Sequence, residues 1–293
     1  MIGVYDSGFG GLSVLRHFRR ELPDRDFIFL GDSGRAPYGG RDTDTILDFS
    51  EQAMERLFEE GCRLVVVACN TVSCVALRHL QQRYAASGAG RRILGVTIPG
   101  AEIAVATSCG HIGIIATHRT VASGTYLAEI RKLGPHRVTQ RAAPLLVPII
   151  EEGWESTDIA RQAVERYLAD FKGIDTLLLG CTHYPLILPT IRAALPPDVG
   201  VLDPGPYVAR RLEDWLLRHP SFDERGEGRL RILCTGDPEE FARPGARFLA
   251  EALPPVEHVV EVEGWLAPVD RATAPVGQVV RVRGRRAGPG VSG

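Results

Sequence analysis

Val65-Val-Val-Ala-Cys-Asn-Thr71 is a run of branched and small apolar residues that ends on a cysteine and two polar residues. Leu177-Leu-Leu-Gly-Cys-Thr182 repeats that order further along the chain. A continuous Val/Leu run without polar alternation suits a strand covered on both faces, the environment of a parallel sheet flanked by helices. A second pair has a similar offset. Ile2-Gly-Val-Tyr-Asp-Ser7 is answered by Ile112-Gly-Ile-Ile-Ala-Thr117, 110 positions later, while Cys69 and Cys181 are 112 apart. Two different patterns recurring at nearly one offset predict two related halves.

Working outward, Ile2–Tyr5, Phe27–Leu30, Leu64–Ala68, Ile93–Thr97, His111–Ala116, Arg137–Arg141, Thr176–Gly180 and Arg231–Cys234 read as strands. Helix-like stretches alternate with them. In Asp44–Glu60 the residues Ile46, Phe49, Ala53, Leu57 and Phe58 fall on one stripe, and Asp158–Asp170 has the same spacing. The fold class expected is α/β: two pseudo-symmetric α/β domains with mainly parallel sheets and an active site in the cleft between them. Residues 1–96 form the first domain, completed by a returning segment 208–262, and residues 97–207 form the second. Residues 263–293 are rich in Pro, Gly, Val and Arg without helical period and read as a flexible C-terminal tail.

Composition excludes several classes. The chain has 293 residues, enough for two domains of ordinary size, and 44% hydrophobic with 24% charged residues excludes wholesale disorder. A net charge of −2 and only 7% aromatic residues argue against nucleic acid as a partner. No apolar run approaches the roughly 18–20 residues that span a bilayer, so no membrane partner is expected. Met1–Asp6 enters a strand-like run with no basic segment or signal-peptide core, which predicts a cytoplasmic protein. Six cysteines without a CxxC pair suggest neither a disulfide scaffold nor a metal site. Cys62, Cys74, Cys109 and Cys234 read as inert, buried small side chains.

Cys69 and Cys181 differ, because each ends a predicted strand at the edge where open α/β sheets bind ligands. A helix beginning just beyond each would help lower its thiol pKa from about 8.5. Inverting a stereocentre by proton transfer needs a base on one face of the carbon and an acid on the other. The reverse reaction exchanges those roles, so the two groups should be alike and opposed. Two matching halves, each with a cysteine, supply that symmetry. A hydrolase would instead need one nucleophile, one base and an oxyanion hole.

Other residues surround this pair. Asp6-Ser-Gly-Phe-Gly-Gly11 is a strand-to-helix turn suited to an anion, with Asp6 placed to meet an ammonium group and Ser7 or Asp6 a candidate helix cap. Pro37-Tyr38-Gly39 forms a rigid loop able to present donors to a carboxylate, or an ordinary turn. Thr117 and Thr120 follow the strand His111–Ala116 and suit either a carboxylate or a helix N-terminus. His183 stands two residues beyond Cys181, and Glu151-Glu152 follow the apolar run Leu145–Ile150. A histidine or carboxylate beside a thiol can hold its proton, although such residues also serve as plain surface groups.

Taken together, Asp6-Ser-Gly-Phe-Gly-Gly11, Pro37-Tyr-Gly39, Ala68-Cys-Asn-Thr71 and Gly180-Cys-Thr-His-Tyr-Pro185 resemble, in order and spacing, the glutamate racemases of the aspartate/glutamate racemase superfamily. Pro144-Leu-Leu-Val-Pro-Ile-Ile-Glu151 and Thr235-Gly-Asp237 with Phe241 are similar to further family segments, and the resemblance runs from Met1 to Val262. It implies cofactor-independent interconversion of L- and D-glutamate, supplying D-glutamate for peptidoglycan. By that resemblance Cys69 deprotonates the D-isomer with help from Asp6, and Cys181 the L-isomer with help from His183 and Glu151. Ser7, Pro37, Tyr38, Gly39, Asn70, Thr71, Thr117, Thr120 and Thr182 then hold the substrate, with Asp6 or His183 near its amino group. Glu151, rather than Glu152, is matched to the family's acid. No cofactor or metal is implied, the partner is small-molecule glutamate, and a homodimer is allowed. Ala143, Cys74 and Asp203-Pro-Gly205 depart from the family pattern. Two other readings stay open: another amino-acid racemase of the superfamily, such as one for aspartate, and a non-catalytic amino-acid binding protein.

Overall fold

The computed structural model describes residues 1–269 except Ser87 and Ala89. Eleven strands are found among the described residues: β1 (Ile2–Asp6), β2 (Phe27–Gly31), β3 (Leu64–Val67), β4 (Arg92–Gly95), β5 (His111–Ala116), β6 (Arg137–Ala142), β7 (Thr176–Gly180), β8 (Gly200–Leu202), β9 (Leu230–Cys234), β10 (Val256–Val262) and β11 (Trp265–Pro268). They form a seven-stranded sheet, β11-β10-β9-β2-β1-β3-β4, and a four-stranded sheet, β6-β5-β7-β8. Every pairing is parallel except that of β10 with β11.

The two sheets share one plan. In the first, β1 lies between β2 and β3, and β4 follows β3; in the second, β5 lies between β6 and β7, and β8 follows β7. The repeated sequence patterns therefore occupy equivalent places: β1 with β5, and β3 with β7. That arrangement is the two-fold pseudo-symmetric α/β fold.

Strand residues are buried throughout β1, β2, β3, β5 and β7. Val66 faces the core shared with Phe18 and Phe29, whereas Val65 and Val67 face Leu57 and Leu80 on the other side of the sheet. This two-sided burial explains the unbroken apolar runs. Burying one such side chain is worth about 1.5–3 kcal/mol. The first core continues from Phe27 and Phe29 to Ile149, Leu177 and Cys181, so one apolar mass joins the two lobes.

Several local expectations are corrected. Thr97 opens the helix Thr97–Thr107 instead of closing a strand. Phe49 is only partly buried; its ring packs on Tyr38 at 5.7 Å and under the Arg35 guanidinium at 4.1 Å. Cys109 is exposed and Cys74 is partly exposed, so neither is the buried small side chain expected of it. Within the predicted tail, Trp265–Pro268 is a strand paired with β10, because Glu263 and Gly264 adopt the left-handed backbone of a tight hairpin. The rest of that segment, from residue 270, lies outside the described residues.

Candidate active site

Cys69 and Cys181 follow the carboxyl ends of the equivalent strands β3 and β7. Both border one cavity of about 130 Å³. Ser7, Pro37, Tyr38, Gly39, Asn70, Thr71, Thr117, Glu151, Thr182 and His183 also line it, so the segments after β1, β2, β3, β5, β6 and β7 converge on one space. Gly8, His118, Pro144, Val147 and Pro148 complete much of the wall. Asp6 and Thr120 are not in the lining. Both are fully buried behind it.

On the first lobe, the Ser7 hydroxyl lies 3.4 Å from the Cys69 sulfur. Asp6 does not cap the following helix, which begins at Leu12 after Gly11 with no side-chain cap. Its carboxylate accepts the Gly8 N–H at 2.9 Å and the Thr182 hydroxyl at 3.5 Å, tying the glycine turn to the second lobe. Burial raises the Asp6 pKa above the ordinary carboxyl range, against the opposing charge of His183 and the hydrogen bonds it accepts. Asp6 is accordingly a stronger base than an exposed carboxylate.

The Cys69 thiol departs from expectation. Burial and the nearby Asp6 charge push it up to about 12, and hydrogen bonds from Ser7 and Val72 only partly offset them. Cys69 does stand at the N-terminus of a helix, Asn70–Val75, but six residues give a weak dipole. In the free protein Cys69 therefore rests as a thiol, the form that donates a proton.

The second lobe is arranged differently. His183 Nδ1 lies 3.9 Å from the Cys181 sulfur, and its Nε2 lies 2.9 Å from Glu151 Oε1. Glu152 is exposed and is not in the lining. Burial opposes a charge on His183, but the hydrogen bonds and negative charges of Cys181 and Glu151 outweigh it and push the pKa up to about 10. The imidazole thus keeps its proton at neutral pH and faces the sulfur as a cation. Beyond Cys181 the chain turns through the short 3-10 segment Tyr184–Ile187, not into an α-helix, so His183 and not a helix dipole supplies the positive field.

Hydroxyl groups pin the cavity's walls. Thr71, Thr117 and Thr120 form a buried cluster, with Thr71 Oγ1 2.9 Å from Thr117 Oγ1 and Thr117 donating to Thr120 at 3.0 Å. Thr117 also caps the helix His118–Ser123 by accepting from the Thr120 N–H, so its cap and lining roles coexist. The Tyr126 hydroxyl donates to Asn70 Oδ1 at 2.6 Å.

Sequence reasoning missed several supports. Asp32, buried at the end of β2, accepts from Arg35 Nε at 2.8 Å, from Thr235 Oγ1 at 2.6 Å and from the Tyr38 hydroxyl. It thereby fixes the Ala36–Gly40 loop, which contains a cis Ala36-Pro37 bond. Ser13 Oγ donates to the Thr182 carbonyl at 2.7 Å, a second tie between lobes. Phe9 and Phe248 pack around the His183 ring at 5.9 and 4.9 Å. Asp32 and Ser13 stand beside the recognised motifs, whereas nothing in the sequence around Phe248 signals its contact with a residue 65 positions away.

A model for the Asp/Glu/Hydantoin racemase family matches residues 10–212. The chain belongs to this racemase family. Glutamate racemase from Persephonella marina is 38% identical over 83% of this chain and 90% of its own length. That of Geobacter metallireducens is 37% identical, over 88% of this chain and 96% of its own length. Among solved structures, glutamate racemase from Francisella tularensis in complex with D-glutamate superposes with a TM-score of 0.82 at 31% identity, covering 90% of this chain and 98% of that one.

The two lobes approach closely at Gly10. A Cβ there would lie 2.5 Å from the His183 ring and closer still to Thr182 Oγ1. The lobes would have to move apart at the Cys181 side. Gly10→Ala is expected to lower kcat/KM at least about tenfold, since misplacements near 1 Å carry such costs. Steady-state assay of the folded variant checks it.

Proposed function

We propose that this racemase interconverts L- and D-glutamate by moving the α-proton between two sulfurs, Cys69 and Cys181, with no cofactor, and supplies D-glutamate for peptidoglycan in the cytoplasm. One observation carries the reading: equivalent strand ends on two pseudo-symmetric lobes bring both cysteines to a single small cavity. Its volume is well below the roughly 300–1,000 Å³ of sites for drug-sized ligands, which suits an amino acid. The relatives named above are glutamate racemases, and one of them holds D-glutamate.

Among the described residues the lining has no lysine or arginine. Neutral donors at Ser7, Asn70, Thr71, Thr117 and Thr182, with backbone N–H groups, hold the substrate carboxylates. The negative Asp6 behind the wall balances the substrate ammonium.

One sulfur, as thiolate, takes the α-proton and leaves the electron pair on the carbon and its carboxylate. The other, as thiol, returns its own proton to the opposite face. No atom is lost, and the sulfurs exchange protonation states. By resemblance to the family, Cys181 deprotonates L-glutamate and Cys69 deprotonates D-glutamate. The imidazolium of His183 stabilises negative charge on Cys181, and Glu151 holds that imidazolium. By the same resemblance Asp6, buried behind the wall, assists Cys69 when that sulfur acts as base.

The test incubates each enantiomer in deuterium oxide without added cofactor. Optical rotation should decay to zero from either side, and product should carry deuterium at Cα. Binding without exchange would establish a non-catalytic amino-acid binding protein. Faster turnover of aspartate than of glutamate would move the specificity within the family.

A further inference from the structure

We infer that Arg247, outside the cavity, is a positioning residue for the Cys181 half of the reaction. The inference rests on the two-thiol reading above.

Arg247 lies in the helix Pro238–Leu249, which follows β9 of the first sheet. Its guanidinium crosses to the second lobe. Nη1 donates to the Ile150 carbonyl at 3.1 Å and the Glu151 carbonyl at 3.5 Å, while Nη2 pairs with Glu155 Oε1 at 2.6 Å. Those carbonyls end the helix Leu146–Glu151, which is six residues long. The last carbonyls of a helix have no partner within it, and so short a helix is marginal without outside contacts. Arg247 provides such contacts from the opposite lobe, at the residue whose carboxylate meets His183.

The chain of contact is short. Arg247 holds the Glu151 backbone, Glu151 Oε1 lies 2.9 Å from His183 Nε2, and His183 Nδ1 lies 3.9 Å from the Cys181 sulfur. The next residue, Phe248, packs its ring on His183 at 4.9 Å, so the same helix turn sets both the imidazole plane and its carboxylate partner. The clamp stands behind Cys181, and Cys69 belongs to the other lobe. Loosening it should slow one proton transfer and leave the other.

The experiment measures primary deuterium isotope effects on kcat/KM for L- and D-[2-²H]glutamate in wild type, Arg247→Met, Arg247→Lys and Glu151→Gln. The two enantiomers have equal free energy, so kcat/KM must fall equally in both directions; in Arg247→Met the fall should be about one to two orders of magnitude. The isotope effects should diverge. The enantiomer deprotonated by Cys181 shows a larger effect because that step becomes more rate-limiting, and the other shows a smaller one. Glu151→Gln should move the same enantiomer in the same direction. Arg247→Lys, which keeps the charge and a donor, should restore part of the rate and shrink the divergence. A purely structural role lowers the active fraction and leaves both isotope effects at wild-type values, which would overturn the inference, as would an unchanged rate. Arg247→Lys decides the question should Arg247→Met not fold. Failure of the wild type to racemise either enantiomer defeats the two-thiol reading itself, a different outcome.

Discussion

Cys69→Ala and Cys181→Ala are each expected to abolish racemisation in both directions, with rates falling by at least about 10³-fold. A positioned acid or base contributes roughly 10²–10⁴-fold, and in the proposed scheme every turnover uses both sulfurs, so neither loss is confined to one enantiomer. Cys69 and Cys181 are 5% and 6% exposed, and alanine is smaller than cysteine, so the variants should fold and the effect should be read in kcat. Serine in place of either cysteine keeps the shape but is a far weaker base. Such a variant should still exchange the α-proton of one enantiomer with solvent, through the remaining sulfur, without racemising it. Chiral assay with deuterium incorporation checks both statements. Wild-type racemisation by either alanine variant would remove the two-base scheme.

His183→Asn is the second large effect. The imidazolium is the positive charge facing the Cys181 sulfur, and its loss should lower kcat by about 10²-fold while KM changes little, since the charge acts on the reacting sulfur. A pH signature follows as well. The folded His183 pKa is pushed up to about 10, whereas an unfolded histidine titrates near 6.5. Its contribution to stability is fully present below about pH 6.5 and is lost as pH rises toward about 10. The wild type should therefore lose stability across that window more steeply than His183→Asn. Chemical denaturation of both proteins at several pH values measures this. Parallel curves would mean that the imidazole gains no proton affinity on folding.

How legible these features were depends on the distance over which they act. Unbroken runs such as Leu64–Val67 announce a doubly covered strand, because the residues along one strand set its burial on both faces. The repeated order of strand, small residue, cysteine and hydroxyl exposes the pseudo-symmetry for the same local reason. Thr97 was harder, since an apolar run continuing into a helix start looks like a longer strand. Trp265–Pro268 was harder still: its strand exists through pairing with Val259–Val262, and pairing is invisible in composition.

The site divides along the same line. The cysteines, the glycine turn and the Pro37-Tyr38-Gly39 loop lie at strand ends, where chain order itself brings chemistry to the sheet edge. The thiol acidity expected at Cys69 failed because it was reasoned from the following helix alone. The opposing contributions, burial and the Asp6 charge, come from the fold around it. Phe248 reaches His183, and Arg247 reaches the Glu151 backbone, only because their helix packs across the cleft.

By itself the sequence determined the alternation of strand and helix, the doubling of the fold and the two cysteines at equivalent strand ends that border one cavity, since these are written in residue order and periodicity. Tertiary structure alone decided that Cys69 rests as a thiol, that the His183 imidazole stays charged and that the helix Pro238–Leu249 reaches across to the other lobe. Those properties depend on desolvation and on charges a few ångströms away in space, and residues so placed are separated by scores of positions along the chain.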